Sequence, residues 1–318
     1  LLLLAVSIGI IYYTIDLEAL KTISSFNSIS LLLALIALAA GMYFDGLRLQ
    51  RLVKIGGYNL SIKAVLRVIF SNYFMAMLTP GASGGAVAQV LVLKSYGVPI
   101  SKGTPIVLIR TVFSIMFLVI MLPLVFLRDA IEIPYISRDM LLIFAVLAVI
   151  ATLLGTYILQ TKYMRQFVYN LAQRFKAHKT RDWLSKLETL NQGLGLLYKQ
   201  PIQSFIVFIE SGLSLLCLYC IAPALMYAFT PDIPIIDILD RMILLNLILY
   251  FAPTPGGTGI AEGLFVVLFS TFVPNGTVGI VAVAWRVMAE YLPFFIGMYA
   301  VLTLYGRQFV AQETSKEQ

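Results

Sequence analysis

The chain has 318 residues, 60% of them hydrophobic and only 12% charged, with a mean hydropathy of +0.90. That balance excludes a soluble globular domain, and apolar stretches near the roughly 20 residues that span a bilayer recur along the whole length. The net charge of +7 is no nucleic-acid signature, because the basic residues lie in loops between apolar segments, where they suit an anionic cytoplasmic leaflet.

The chain starts at Leu1 rather than Met, as a processed or trimmed chain would, and residues 1–15 lack the small-residue cleavage site of a signal peptide. They are expected to form a first span, with Asp16, Glu18 and Lys21 following on the outside. Residues 29–44 return, and Arg48, Arg51, Lys54, Lys63 and Arg67 crowd the far end, which the positive-inside rule makes cytoplasmic. An apolar arm then runs to Leu78, breaks through Thr79-Pro80-Gly81-Ala82-Ser83-Gly84-Gly85, and resumes as far as Lys94. The resumed arm is about 20 Å long as a helix, short of the roughly 30 Å hydrocarbon core. The two arms therefore read as a re-entrant hairpin that enters and leaves on the cytoplasmic side.

Residues 103–127 form the next span, an outer loop of mixed charge follows, and 140–160 come back in. Eight basic residues between Lys162 and Lys199, against Asp182 and Glu188, are the strongest cytoplasmic marker. Phe167, Leu171, Phe175, Trp183, Leu187 and Leu190 recur there at helical spacing, which suits an interface-lying amphipathic helix or an ordinary helical linker equally. Residues 201–229 cross outward to an acidic loop with Asp232, Asp237 and Asp240. A second broken segment, with arms 240–252 and 259–273, enters from the outside and returns there, and 278–305 runs inward to Arg307. The expected architecture is an all-α integral membrane protein, one polytopic domain over 1–318. Its halves, at about 29–127 and 201–306, form an inverted-topology repeat with six spans and two re-entrant helical hairpins. The basic linker 162–200 and the C-terminus are expected to be cytoplasmic.

No helix continues through the second break, Pro253-Thr254-Pro255-Gly256-Gly257-Thr258-Gly259, because two prolines remove donors and three glycines admit unusual backbone angles. Irregular backbone at membrane depth is tolerated only where protein buries it or where it lines a cavity. Transporters hold their substrates at such breaks. The break has a twin in the first half: aligning Pro80-Gly81 with Pro255-Gly256 sets Ser83 against Thr258 and Gly84 against Gly259. Downstream of each, one arginine sits inside a long apolar segment, Arg110 and Arg286. An ionised arginine at mid-membrane costs at least roughly 2.5–3.5 kcal/mol on insertion scales, so each needs a partner or a watery cavity. The returning arms also point their helix N-termini inward, with free N–H groups and the positive dipole end. Tips and arginines together make a candidate anion site, and phosphate is the natural match for a guanidinium.

Three carboxylates bear on this. Glu290 lies four residues after Arg286 on the same helix face, which favours a structural ion pair. Glu262 is in the first turn of its half-helix, where it could pair with Arg110 or Arg286, hold a cationic head group or carry a coupling proton. The sequence leaves those roles open. Glu210 is mid-span with no partner close in sequence. Cys217 and Cys220 have CxxC spacing inside an apolar span without a second ligand pair, so packing explains them better than zinc or redox chemistry. His178, in a basic loop, reads as solvated. Gly257-Thr258-Gly259 lacks the βαβ context of a dinucleotide site, and no Walker motif appears. No cofactor, metal or nucleic acid is expected.

The stretch PTPGGTGIAE followed by an intramembrane arginine, with the earlier TPGASGG and its arginine, resembles the lysylphosphatidylglycerol synthase transmembrane-region family, over nearly the whole chain. Those are the flippase-like parts of bacterial lipid aminoacyl-transferases, which also occur as stand-alone membrane proteins. The resemblance implies lipid translocation between leaflets, with Pro255, Gly256, Gly257, Gly259, Glu262 and Arg286 at the matching site. The transferase domain of the full-length synthases is absent, so synthase activity is not carried over. The expected function is a plasma-membrane lipid flippase, not an enzyme, that holds an anionic or zwitterionic head group at the midplane. A transporter or channel for a small soluble anion, and a lipid-linked glycosyl- or acyl-transferase, are the alternatives. Its partner is membrane lipid, with self-association and a lipid-modifying enzyme left open.

Overall fold

A computed structural model of the chain describes residues 26–128, 138–158, 195 and 200–314. The expected first span at 1–15 and almost all of the basic linker lie outside the described residues. What is described is an all-α membrane protein with no β-strand. Four helices, Ser28–Ile55, Ile100–Leu127, Pro201–Met226 and Val278–Leu304, are long and apolar enough to cross a bilayer.

Helix α1 (Ser28–Ile55) starts where the Asn27 side chain accepts the Ser30 N–H at 2.7 Å, and it ends at the Gly56-Gly57 pair. It runs eleven residues beyond the expected end at 44, because Asp45 and Arg48 neutralise each other within the helix instead of ending it at the interface. Helix α2 (Ile62–Leu78), capped by Ser61, stops at Thr79 because the following proline drives that residue to extended backbone (φ −124°, ψ 140°). Helix α3 (Ser83–Ser95) returns, and the long α4 (Ile100–Leu127) and α5 (Arg138–Ile158) follow. Helix α6 (Pro201–Tyr219) is interrupted at Cys220 before the short α7 (Ile221–Met226). Pro223 is the cause, since it has no N–H to donate to the Tyr219 carbonyl and its ring crowds that oxygen.

Helices α8 (Ile235–Leu249) and α9 (Ile260–Phe269) form the second broken pair. Helix α10 (Val278–Arg286) then passes through a π-turn, Val287–Tyr291, into α11 (Leu292–Thr314). The π-turn sits where Pro293 would otherwise press on the Ala289 carbonyl, and widening the turn relieves that clash. The four broken-pair helices, α2, α3, α8 and α9, have 17, 13, 15 and 10 residues, about 25, 20, 22 and 15 Å. Each is short of the roughly 30 Å core.

Helix α1 lies along α6 and α7, α2 along α11, and α4 against α3, α6 and α8. Small residues let the backbones close up, as membrane helix pairs require. A Cβ on Gly297 of α11 would lie 2.0 Å from the Phe70 carbonyl oxygen of α2, and one on Gly212 of α6 would lie 2.4 Å from the Phe117 ring of α4. Outward, α5 presents Ile143, Phe144, Leu147 and Leu154, an apolar face suited to lipid tails.

Candidate functional site

The two breaks meet. Pro80 and Pro255 form an isolated antiparallel bridge, the one β-type pairing among the described residues. Both loops make the same turn. Gly81 and Gly256 take φ of 61° and 57°, and Ala82 and Gly257 take 52° and 69°. The next hydroxyl folds back in each: Ser83 donates to the Pro80 carbonyl at 3.1 Å, and Thr258 to the Pro255 carbonyl at 2.8 Å. Left-handed backbone at two successive positions is what glycine admits and other residues resist, so Ala82 carries local strain in the first tip. Pro80 to Ser83 are exposed, whereas Gly257 is buried.

The second tip is tied down by Arg286, which is 1% exposed. Its Nε donates to Glu262 Oε1 at 2.9 Å and its Nη2 to the Gly256 carbonyl at 2.8 Å. Glu262 Oε2 in turn accepts the Gly259 N–H at 2.7 Å, so this carboxylate fills the N-terminus of α9 where an external anion would bind. Glu290 stands 3.9 Å from Arg286 Nη1. It is the looser partner, because the π-turn displaces an i+4 residue from its usual place above residue i. Glu290 thus keeps the ion pair with Arg286 that its spacing predicts, while Glu262 is the nearer, hydrogen-bonded partner. The Arg286 guanidinium also lies 5.8 Å from the Tyr291 ring centroid.

The first tip has a different arrangement. Gly84 N–H donates to the Thr79 hydroxyl at 2.8 Å, and Gly84 and Gly85 pack on α2, where a Cβ would meet Thr79 and Asn72 side-chain atoms at 2.5 and 2.4 Å. Arg110 does not reach Glu262 or the tip amides. It donates to both oxygens of Asp45 on α1, through Nε at 3.1 Å and through Nη2, and its Nη1 donates to Gln89 Oε1 at 2.6 Å. Gln89 continues to Asn72 Oδ1 at 2.8 Å, which links α4, α3 and α2. Asp45 is shared with Arg48, whose Nη1 donates to Ser114 Oγ at 2.7 Å. All three charged groups are buried.

The structure thus brings together Pro80, Gly81, Pro255 and Gly256 at one contact and gathers Thr258, Gly259, Glu262, Arg286 and Glu290 around the second tip. Ser83, Gly84 and Gly85 stand at the first tip, and Arg110 heads a separate cluster. Glu210 has a distant partner, Arg51, which donates to its carboxylate at 2.7 and 3.1 Å and to Gln203 at 2.8 Å. Sequence reasoning passes over Asp45, Gln89 and Asn72. Their signal was a polar residue inside an apolar helical run, and Asp45 also stands at i, i+3 spacing to Arg48. Among the described residues, no group of three or more His, Cys, Asp or Glu could hold a metal.

A family model described as the lysylphosphatidylglycerol synthase TM region matches residues 1–297. A UPF0104 membrane protein of Archaeoglobus fulgidus is 21% identical over 306 residues, which cover 94% of this chain and 93% of that protein.

Proposed function

The chain belongs to the lysylphosphatidylglycerol synthase transmembrane-region family, and from that premise we propose that it is a lipid translocase, which passes a phospholipid or lipid-linked head group between leaflets where two hairpin tips meet. The observation that carries this is the Pro80–Pro255 bridge, with an ion cluster built on a buried arginine in each half. Four arms too short to cross, ending in irregular backbone, are the usual build of re-entrant hairpins whose tips lie at mid-membrane. The shared turn at the tips supports the inverted repeat of 29–127 and 201–306. Loop charge puts the base of the first hairpin on the cytoplasmic side of a plasma membrane and that of the second outside.

In this arrangement the tip contact closes the route, and a head group passes when Pro80 and Pro255 part. The polar groups along the way stand in for water, while the acyl chains stay in the lipid. Head-group recognition falls to the tips and to the groups the clusters leave unsatisfied: Pro80, Gly81, Ser83, Pro255, Gly256, Gly257 and Thr258 at the contact, with Gly84, Gly85, Arg110, Gly259, Glu262, Arg286 and Glu290 fixing its shape and charge.

Purified protein in vesicles carrying acyl-labelled phospholipid tests this. A membrane-impermeant quencher should reach inner-leaflet label only in vesicles that contain the protein. Label that stays protected, in vesicles where the same protein lets a small anion such as phosphate leak, would replace lipid translocation with anion transport.

A further inference from the structure

The two ion clusters carry opposite surpluses. Asp45 is shared by Arg48 and Arg110, two cations to one anion, and no other carboxylate among the described residues pairs with either arginine. Arg286 is shared by Glu262 and Glu290, one cation to two anions. Isolated charge in a low-dielectric interior is costly unless something pairs it. These surpluses stand on elements that pack together, across the space between them. Helix α1, which bears Asp45 and Arg48, packs against the π-turn that bears Glu290. Tyr73 of α2 lies within electrostatic reach of Asp45, Arg48, Arg110 and Glu290 together.

The space has unengaged polar atoms in it. Glu290 is only partly buried, with 32% of its side chain accessible. Arg48 uses Nε and Nη1 on Asp45 and Ser114, and its Nη2 makes no hydrogen bond among the described residues. The Tyr219 hydroxyl belongs to a residue only 3% exposed, has no hydrogen-bond partner among the described residues, and lies within electrostatic reach of Arg48. Buried hydroxyls are ordinarily paired, so an open one within electrostatic reach of a guanidinium with a free nitrogen calls for an acceptor.

Resting on the reading above that the cargo is a lipid, we infer that this space takes a zwitterionic head group, its phosphate toward Arg48 and the Tyr219 hydroxyl and its ammonium toward Glu290. A purely anionic head group would meet the surplus carboxylate, and a purely cationic one the surplus guanidinium. Each surplus group is also removable without breaking the pair beneath it. Arg48→Gln leaves Arg110 on Asp45, and Glu290→Gln leaves Arg286 on Glu262.

The test compares three acyl-labelled lipids in vesicles: one with phosphate and a primary ammonium, one with phosphate and no amine, and one with a quaternary ammonium and no phosphate. The unaltered protein should move the first about tenfold faster than either other, the worth of one charge-assisted contact. Glu290→Gln should slow the zwitterion about tenfold and not the anion, and Glu290→Asp should keep part of the preference. Arg48→Gln should slow the zwitterion and the anion and spare the cation. Equal slowing of zwitterion and anion by Glu290→Gln, in protein whose thermal unfolding is unchanged, overturns the inference. So does movement of all three lipids at one rate, which leaves translocation standing. Movement of none by the unaltered protein overturns translocation itself.

Discussion

Asp45 is the residue on which the buried charge of the first half depends, because two arginines share it and no other carboxylate among the described residues pairs with them. Removing one partner of a buried ion pair costs on the order of 3–5 kcal/mol, since the remaining charge is stranded. Asp45→Asn should therefore lower stability by about that much, read as the denaturant midpoint in detergent. Glu210→Gln should cost far less, because its partner Arg51 is 31% exposed and keeps its solvation. Equal losses would mean the Asp45 cluster is better hydrated than its burial indicates. The two intramembrane arginines are legible in the sequence, since an Arg inside an apolar run stands out by itself. Their partners are not. Asp45 and Arg110 are 65 residues apart and meet only through the packing of α1 and α4. For Arg286 the i, i+4 spacing gives Glu290, whereas the nearer partner, Glu262, stands 24 residues away and is only one option in the sequence.

At the scale of elements, the broken helix pairs are the most legible feature, because Pro-Gly breaks are local properties of the chain. Their ends are less so. Helix α9 closes at Phe269, four residues before the apolar run ends, because the backbone turns there: Phe272 N–H bonds the Phe269 carbonyl. The glycines divide by role in a way that composition conceals. Gly84 and Gly85 serve the fit of α3 on α2, whereas Gly256 and Gly257 serve backbone angles at the tip. If the hairpins are inverted, a single cysteine at Lys94, near the end of α3, reacts with impermeant maleimide only from the cytoplasmic side. One at Asn275, beyond α9, should react only from the outside. Reaction of both from one side would mean the two hairpins enter the membrane in the same direction.

For the whole molecule, the meeting of the tips is a tertiary fact that no local pattern carries. The sequence aligns Pro80 with Pro255 as equivalent residues, but nothing in it says that they touch. That contact exists because the first half, through α1 and α2, closes on the second through α6, α7 and α11. Membrane class, helix content and the family resemblance were all readable before the fold, since composition and motif are properties of the chain alone. The central claim is that cargo crosses where the tips part, and an antiparallel bridge sets the two Cα atoms about 4.5–5.5 Å apart, within reach of a disulfide. The direct measurement is lipid translocation by a Pro80→Cys, Pro255→Cys protein in which Cys217 and Cys220 are replaced by alanine. Oxidation should cross-link the tips and stop translocation, and reduction should restore it in the same vesicles. Undiminished translocation by fully cross-linked protein would show that the head group crosses elsewhere.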